Sequence, residues 1–194
     1  MLVMSKDHKL FYEAYNDASD LDGDGQLDLY FKPGITYYGL FDSGLCYSYN
    51  SAASMFQPAS QADSLGRCTV GGSSGEWSGN WLNYVSTSRI DALRKVLYGG
   101  YRDVDTNSQT VLRRAYIPQD AHSWGKEFHS SHNYRISDYT DLDEPPNAST
   151  RHFFGSLTAN RSQSCATLDN CSNLQPLLRI RSNVGNNKRI WEWA

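Results

Sequence analysis

The sequence predicts an α/β fold, read as a single module over residues 1–194. Three observations predict it: one apolar period at helical spacing, several short runs with strand composition, and long polar connections between them. Hydrophobic residues make up 39% of the chain and charged residues 20%. That balance supplies a core and leaves too little charge for a disordered polymer.

Taken in order, Leu2-Val3-Met4 reads as the end of a buried strand, and a turn-rich acidic tract follows from Asp17 to Gly25. Ile35 to Phe41 alternates weakly, with aromatic content, and reads as a strand. From Asn50 to Gly79 small and polar residues dominate, as in Ser51-Ala52-Ala53-Ser54 and Gly71-Gly72-Ser73-Ser74-Gly75, and predict a long loop. The clearest element is a helix from Trp81 to Leu97, where Leu82, Val85, Ile90, Leu93, Val96 and Leu97 share one stripe. Asn80 or Ser78 can cap its start, and Gly99-Gly100 stops it. Asp91 and Lys95 form a favourable i,i+4 pair, and Arg94 and Lys95 suit the negative end of the helix. Val111 to Ile117 reads as a strand halted by Pro118, and Gln119 to Trp124 as a packed turn. His152 to Leu157 and Leu177 to Ile180 are further strands.

Net charge is −3, and no basic face is evident, so nucleic-acid binding is excluded as the main function. No apolar run approaches the ~18 residues of a membrane span. Met1 to Met4 is followed at once by Lys6 and Asp7, unlike a secretory signal, and Trp191-Glu192-Trp193-Ala194 is no natural terminator. A fragment of a longer chain is the expectation.

Four cysteines fall into two sequence-local pairs, Cys46 with Cys68 and Cys165 with Cys171. Four cysteines allow three connectivities, of which the local one is favoured; free buried thiols are the alternative. Each such loop would stabilise the fold by roughly 2–3.5 kcal/mol. No cysteine–histidine spacing suits zinc. Two bridges would imply an oxidising compartment.

Asp20-Leu21-Asp22-Gly23-Asp24-Gly25-Gln26-Leu27-Asp28 carries the chemistry. Calcium (Ca2+) takes six to eight oxygens, and alternate carboxylates converge on one ion when the backbone curls. Gly25 permits the curl, because it lacks a Cβ. Asp20, Asp22 and Asp24 occupy the first three liganding positions of an EF-hand loop, Gln26 would offer its carbonyl, and Asp28 would act directly or through water. The twelfth position holds Phe31 where an EF-hand has Glu, so another carboxylate must complete the site, and Asp17 is the first candidate. An acidic turn without metal is the alternative. A fold-stapling role for the ion is the expectation.

Catalytic signals are weak. Asp120, His122 and Ser123 are neighbours in sequence without a nucleophile elbow, and His129 and His132 suit a solvated loop better than a metal. The chain is therefore expected not to be an enzyme. Tyr37, Tyr38, Tyr47, Tyr49, Tyr84 and Tyr98 could line a glycan-stacking surface, although core packing explains most such residues.

Asp7-His8-Lys9-Leu10-Phe11-Tyr12-Glu13-Ala14-Tyr15-Asn16-Asp17, leading into the acidic loop, resembles the N-terminal region of PilY-type type IV pilus tip and biogenesis proteins. Gly79-Asn80-Trp81-Leu82-Asn83-Tyr84, Ser88 to Gly100, Arg114 to Trp124 and Lys188-Arg189-Ile190-Trp191-Glu192-Trp193 extend the likeness over most of the chain. The resemblance implies a von Willebrand factor A-like N-terminal region, here partial or degenerate, with a calcium-binding, disulfide-pinned insertion at about residues 17–78. The metal-ion-dependent adhesion motif is replaced by Ser5-Lys6-Asp7-His8-Lys9. The family's C-terminal calcium-binding propeller lies outside this chain. The implied parent is exported, passing through the periplasm to the cell surface or pilus tip. Its partners would be minor pilins or other filament subunits, the rest of its own polypeptide, and a host or environmental surface. A calcium-dependent, lectin-like glycan-binding module is the second expectation.

Overall fold

The apolar period that begins at Trp81 folds as two helices rather than one. In the computed structural model, which describes residues 7–69, 75–117, 120–158 and 176–188, α1 spans Gly79–Ser86 and α2 spans Arg89–Tyr98. Thr87 and Ser88 between them are extended. Ser88 breaks the period by capping α2: its Oγ accepts from the Asp91 amide at 3.3 Å and donates to the Asp91 carboxylate at 2.6 Å. A serine that serves a nearby backbone donor competes with the helical bond and favours a fresh start. Ser88 also forms an antiparallel bridge to Glu13, which draws the N-terminal segment onto the helix junction. The outer ends match expectation. Ser78 caps α1 by accepting from the Trp81 amide, and Gly99 closes α2 in the left-handed conformation at φ +84°.

Eight strands form three antiparallel sheets among the described residues. The first has the order β2-β1-β3, with β1 Leu45–Asn50, β2 Met55–Gln61 and β3 Trp77–Ser78. The segment expected to be one long loop after Asn50 therefore contains a hairpin strand and the closing strand of a sheet. Its small polar residues hid it, because β2 is an edge strand whose outer half is exposed and needs no apolar side chains there. The Cys46–Cys68 bridge ties β1 to the chain beyond β2, with the two Cα atoms 5.7 Å apart. Cys165 and Cys171 lie outside the described residues, as do Leu2-Val3-Met4, Pro118 and Arg189 to Ala194.

The second sheet is the ribbon of β4 Arg102–Asp105 and β5 Thr110–Leu112, so the strand expected from Val111 to Ile117 is mostly irregular chain. The third has the order β6-β7-β8, with β6 Trp124–His129, β7 Thr150–Thr158 and β8 Pro176–Gly185. The two strands expected near the C-terminus lie inside β7 and β8. Pairing is antiparallel throughout the described residues, so the parallel, helix-covered sheet implied by the A-domain resemblance is not among them. Among the described residues the arrangement is a small α/β one with two α-helices.

The core is aromatic. Phe31, Tyr37, Trp81, Tyr84, Phe128, Tyr139 and Phe154 are buried together, and the Phe31 ring meets Trp81 edge-on at 4.9 Å. Phe31, which displaced the EF-hand glutamate in sequence, is thus a core residue. Ile35 to Phe41 is not a strand. Its backbone is held instead by two side chains of α1, where Asn80 accepts from the Tyr37 amide at 2.8 Å and donates to the Ile35 carbonyl at 2.9 Å. Asn83 donates to the carbonyls of Tyr37 and Phe41 at 2.8 and 3.0 Å and accepts from the Phe41 amide at 3.0 Å. Gly39 permits this close approach, since a Cβ there would stand 2.2 Å from Thr87 Oγ1. Two amides three residues apart on one helix face thereby do the work of a neighbouring strand.

Arg114 locks α1 to the third sheet. Its buried guanidinium donates to Ser86 and Leu157 carbonyls and to Ser156 Oγ, and burial lowers its pKa to about 10. The expected Asp91–Lys95 pair does not form. Asp91 turns inward to accept from the Ala115 amide at 2.8 Å, while Lys95 donates to the Gly39 carbonyl. A buried carboxylate gains more from a backbone amide and a hydroxyl than from a solvated lysine.

Candidate metal centre

The acidic loop curls as its glycines predict. Gly25 sits at φ +86°, a conformation costly for any residue with a Cβ. Asp20 is the hub: its Oδ1 accepts from the amides of Gly23 and Asp24 at 2.7 and 3.2 Å, and its Oδ2 from Gly25 at 2.9 Å. Asp22 accepts from the Asp24 amide at 3.1 Å, and Asp24 from the Gln26 amide at 2.8 Å. The loop is closed at its base by the Asp28 amide, which donates to the Ser19 carbonyl at 2.9 Å, and by Asp28 Oδ2, which accepts from Leu21 at 2.8 Å.

Asp20, Asp22 and Asp28 each present an oxygen within 4.8 Å of the others. Two are exposed and Asp28 is buried, so the set forms a shallow cup with one fixed wall. Lys32 approaches Asp28 Oδ1 at 3.6 Å and offsets part of the charge. Three converging carboxylates, with backbone carbonyls and water able to fill further positions, fit a hard divalent cation. Asp24 stands outside the convergent set, its Oδ1 engaged by Gln26, and the Gln26 side chain is exposed.

Asp17, the candidate for the last ligand, does not join the cup. Its Oδ1 turns toward the core and accepts from Tyr84 Oη at 2.7 Å and Lys126 Nζ at 2.6 Å. The buried ammonium of Lys126 competes successfully for it, because a charge without water needs a counter-charge at hand. No local pattern signals this pairing. Lys126 lies 109 positions from Asp17, in a run with no unusual composition.

The other candidate groups are held in ordinary packing. His122 Nδ1 meets Asp120 Oδ1 at 2.7 Å, but the Ser123 hydroxyl donates to the Asp120 carbonyl, and the imidazole stacks on Tyr12. No serine–histidine relay results. His129 reaches Ser131 and the Ala148 carbonyl, while His132 stacks on Tyr30 at 4.2 Å and burial lowers its pKa from 6.5 to about 4. Of the six tyrosines, Tyr37, Tyr47 and Tyr84 are core residues, leaving Tyr38, Tyr49 and Tyr98 exposed.

Residues 28–179 match the family described as PilY1 homolog, small alpha/beta domain. The chain belongs to this PilY1-homolog domain family. A "Type IV pilus biogenesis factor PilY1 homolog" of Xylella fastidiosa (strain Temecula1 / ATCC 700964) is 51% identical over 199 residues, covering 100% of this chain and 12% of the relative. A second protein of that description from the same strain is 36% identical over 91 residues, covering 45% of this chain and 8% of the relative. The chain thus spans about an eighth or less of the length of these curated relatives. No solved structure matches it. The matched residues of the PilY1-homolog domain begin at Asp28, so Asp20 to Gln26 precede them, while α1, its two asparagines and Arg114 lie within. No helix among the described residues is long and apolar enough to cross a membrane.

Proposed function

We propose that this domain is a calcium-stapled structural and interaction module of a type IV pilus assembly factor, without enzymatic turnover. The family match and the printed role of the relatives support the pilus part of this reading. The observation that carries the calcium part is the convergence of Asp20, Asp22 and Asp28 on a loop whose amides already brace Asp20. An ion there would hold Ser19 and Asp28 together at the foot of the loop, three residues before the core residue Phe31. Ions that bind only the folded state stabilise it by mass action, by about 2.7 kcal/mol at a hundredfold excess over Kd.

The Cys46–Cys68 bridge suits an exported protein that works in the periplasm and then at the cell surface or pilus tip. Minor pilins or other filament subunits, and a surface met by the tip, are the partners this reading assigns. The A-like region and the propeller would be other parts of a longer parent, with this small unit and its calcium loop as an accessory beside them. Titration calorimetry on the chain should show calcium binding, and chelator should lower Tm. Asp22→Asn should weaken both effects at least tenfold in calcium concentration. Unchanged melting with and without millimolar calcium would remove the staple. A strain lacking the parent should lose surface pili and twitching, and normal piliation would remove the assembly role.

A further inference from the structure

Lys126 on β6 takes no part in the calcium cup, yet its buried amine meets two carboxylates and a backbone carbonyl. Its side chain is 1% exposed, and its Nζ lies 2.6 Å from Asp17 Oδ1, 2.7 Å from Glu13 Oε2 and 2.6 Å from the Tyr15 carbonyl oxygen. The Tyr84 ring stands 4.8 Å beneath it. The Tyr84 hydroxyl donates at 2.7 Å to the same Asp17 oxygen that meets the amine. A nucleophile, an acyl group, a second carboxyl group and a hydroxyl aimed at the acyl oxygen therefore share one water-poor pocket. An ordinary buried ion pair uses the first two of these; the other two are the additional parts that an acyl transfer needs.

We propose that Lys126 and Asp17 are joined by an intramolecular amide bond, formed once by the folded chain itself, with Glu13 as proton carrier and Tyr84 as the donor to the acyl oxygen. Proton transfer within the Lys126–Asp17 ion pair gives the neutral amine and the carboxylic acid; the amine lone pair then adds to Cγ of Asp17, and the π electrons move onto the oxygen held by Tyr84. Glu13 takes a proton from the nitrogen and delivers it to the departing hydroxyl. The C–O bond breaks, one water leaves, and an N–C bond has formed with nothing oxidised or reduced. Burial raises the Glu13 pKa, against the pull of Lys126, so its carboxyl group holds a proton more readily than a solvated glutamate. Asp17 is partly exposed, which gives the released water a way out.

Two physical reasons favour the condensation. Groups held at contact react with effective molarities on the order of 10⁵–10⁸ M, which lowers the barrier to forming the amide. The amide also replaces a buried ammonium and a partly buried carboxylate by one neutral group and so avoids the cost of keeping that ammonium charged away from water. The link would close a loop across the 109 positions between Asp17 and Lys126 and pin the stem of the acidic loop to the third sheet.

The mass of the intact, reduced and denatured chain tests this directly. The expected value is lower by one water than the sequence requires, and digestion should yield one branched peptide joining the Asp17 and Lys126 segments. Lys126→Arg should restore the full mass. Glu13→Gln should leave most of the chain unlinked. Asp17→Asn should give the same amide with loss of ammonia instead of water. A wild-type chain at full mass overturns the proposal whether or not the variants fold, and a branch at Glu13 instead of Asp17 overturns the assignment of roles. Calcium binding by the acidic loop does not depend on the outcome.

Discussion

The two helices arise from one apolar period, yet they end in different environments. All eight residues of α1 are buried, whereas only Ile90 and Asp91 of α2 are. At the end of α2, Val96 is 69% exposed, Leu97 42% and Tyr98 52%, although the period placed Val96 and Leu97 on the same stripe as Leu82 and Val85. The difference teaches that periodicity reports which side chains share a face, and only the layers around a helix decide whether that face is covered. α1 is enclosed by the third sheet through Arg114, Trp124 and Ser156, and by the Ile35–Phe41 segment through Asn80 and Asn83. α2 meets the N-terminal segment through Arg89, Ala115 through Asp91 and Gly39 through Lys95, and leaves its last turn exposed.

Substitutions should separate the two faces sharply. Trp81→Ala on α1 should have the largest effect, a loss of roughly 3–5 kcal/mol in denaturant unfolding, because it empties the centre of the aromatic core. Asn83→Leu should cost roughly 2–4 kcal/mol by orphaning the Phe41 amide and two carbonyls; an unchanged midpoint would show that the asparagine clamp contributes little. The packing below α1 also reaches His132. Its folded pKa of about 4 lies below 6.5, so the neutral form is the one the fold favours. Its contribution is complete above pH 6.5 and is lost as pH falls through about 4. Because the ring is only partly buried, the loss should stay below about 2 kcal/mol, and His132→Phe should flatten that part of the Tm–pH curve. On α2, Val96→Ser with Leu97→Ser should change stability of the chain by less than about 0.5 kcal/mol each, measured by thermal melting. A larger loss would mean that the open face is covered in solution.

Legibility followed the range of the interactions. Ser78 and Gly99 marked their helix ends because capping is settled within a turn, and Gly25 marked the curl of the acidic loop for the same reason. β7 and the first half of β8 show as apolar runs in the sequence. The break at Thr87–Ser88 is hidden because the stripe runs through it, and β2 is hidden because an exposed edge carries few apolar residues. Proximity in sequence points Asp17 toward the calcium loop, whereas a lysine 109 positions away holds it.

By itself the sequence determined the acidic loop, the helix caps, the strands at the C-terminal end and the resemblance that the family match bears out. These rest on groups a few residues apart, or on words long enough to recognise. Tertiary structure alone decided that Asp17 and Glu13 face Lys126, that two asparagines stand in for a strand, and that half an apolar stripe remains in water. Each depends on which distant surface arrives first at a buried polar group or an apolar face, and no local pattern encodes that meeting.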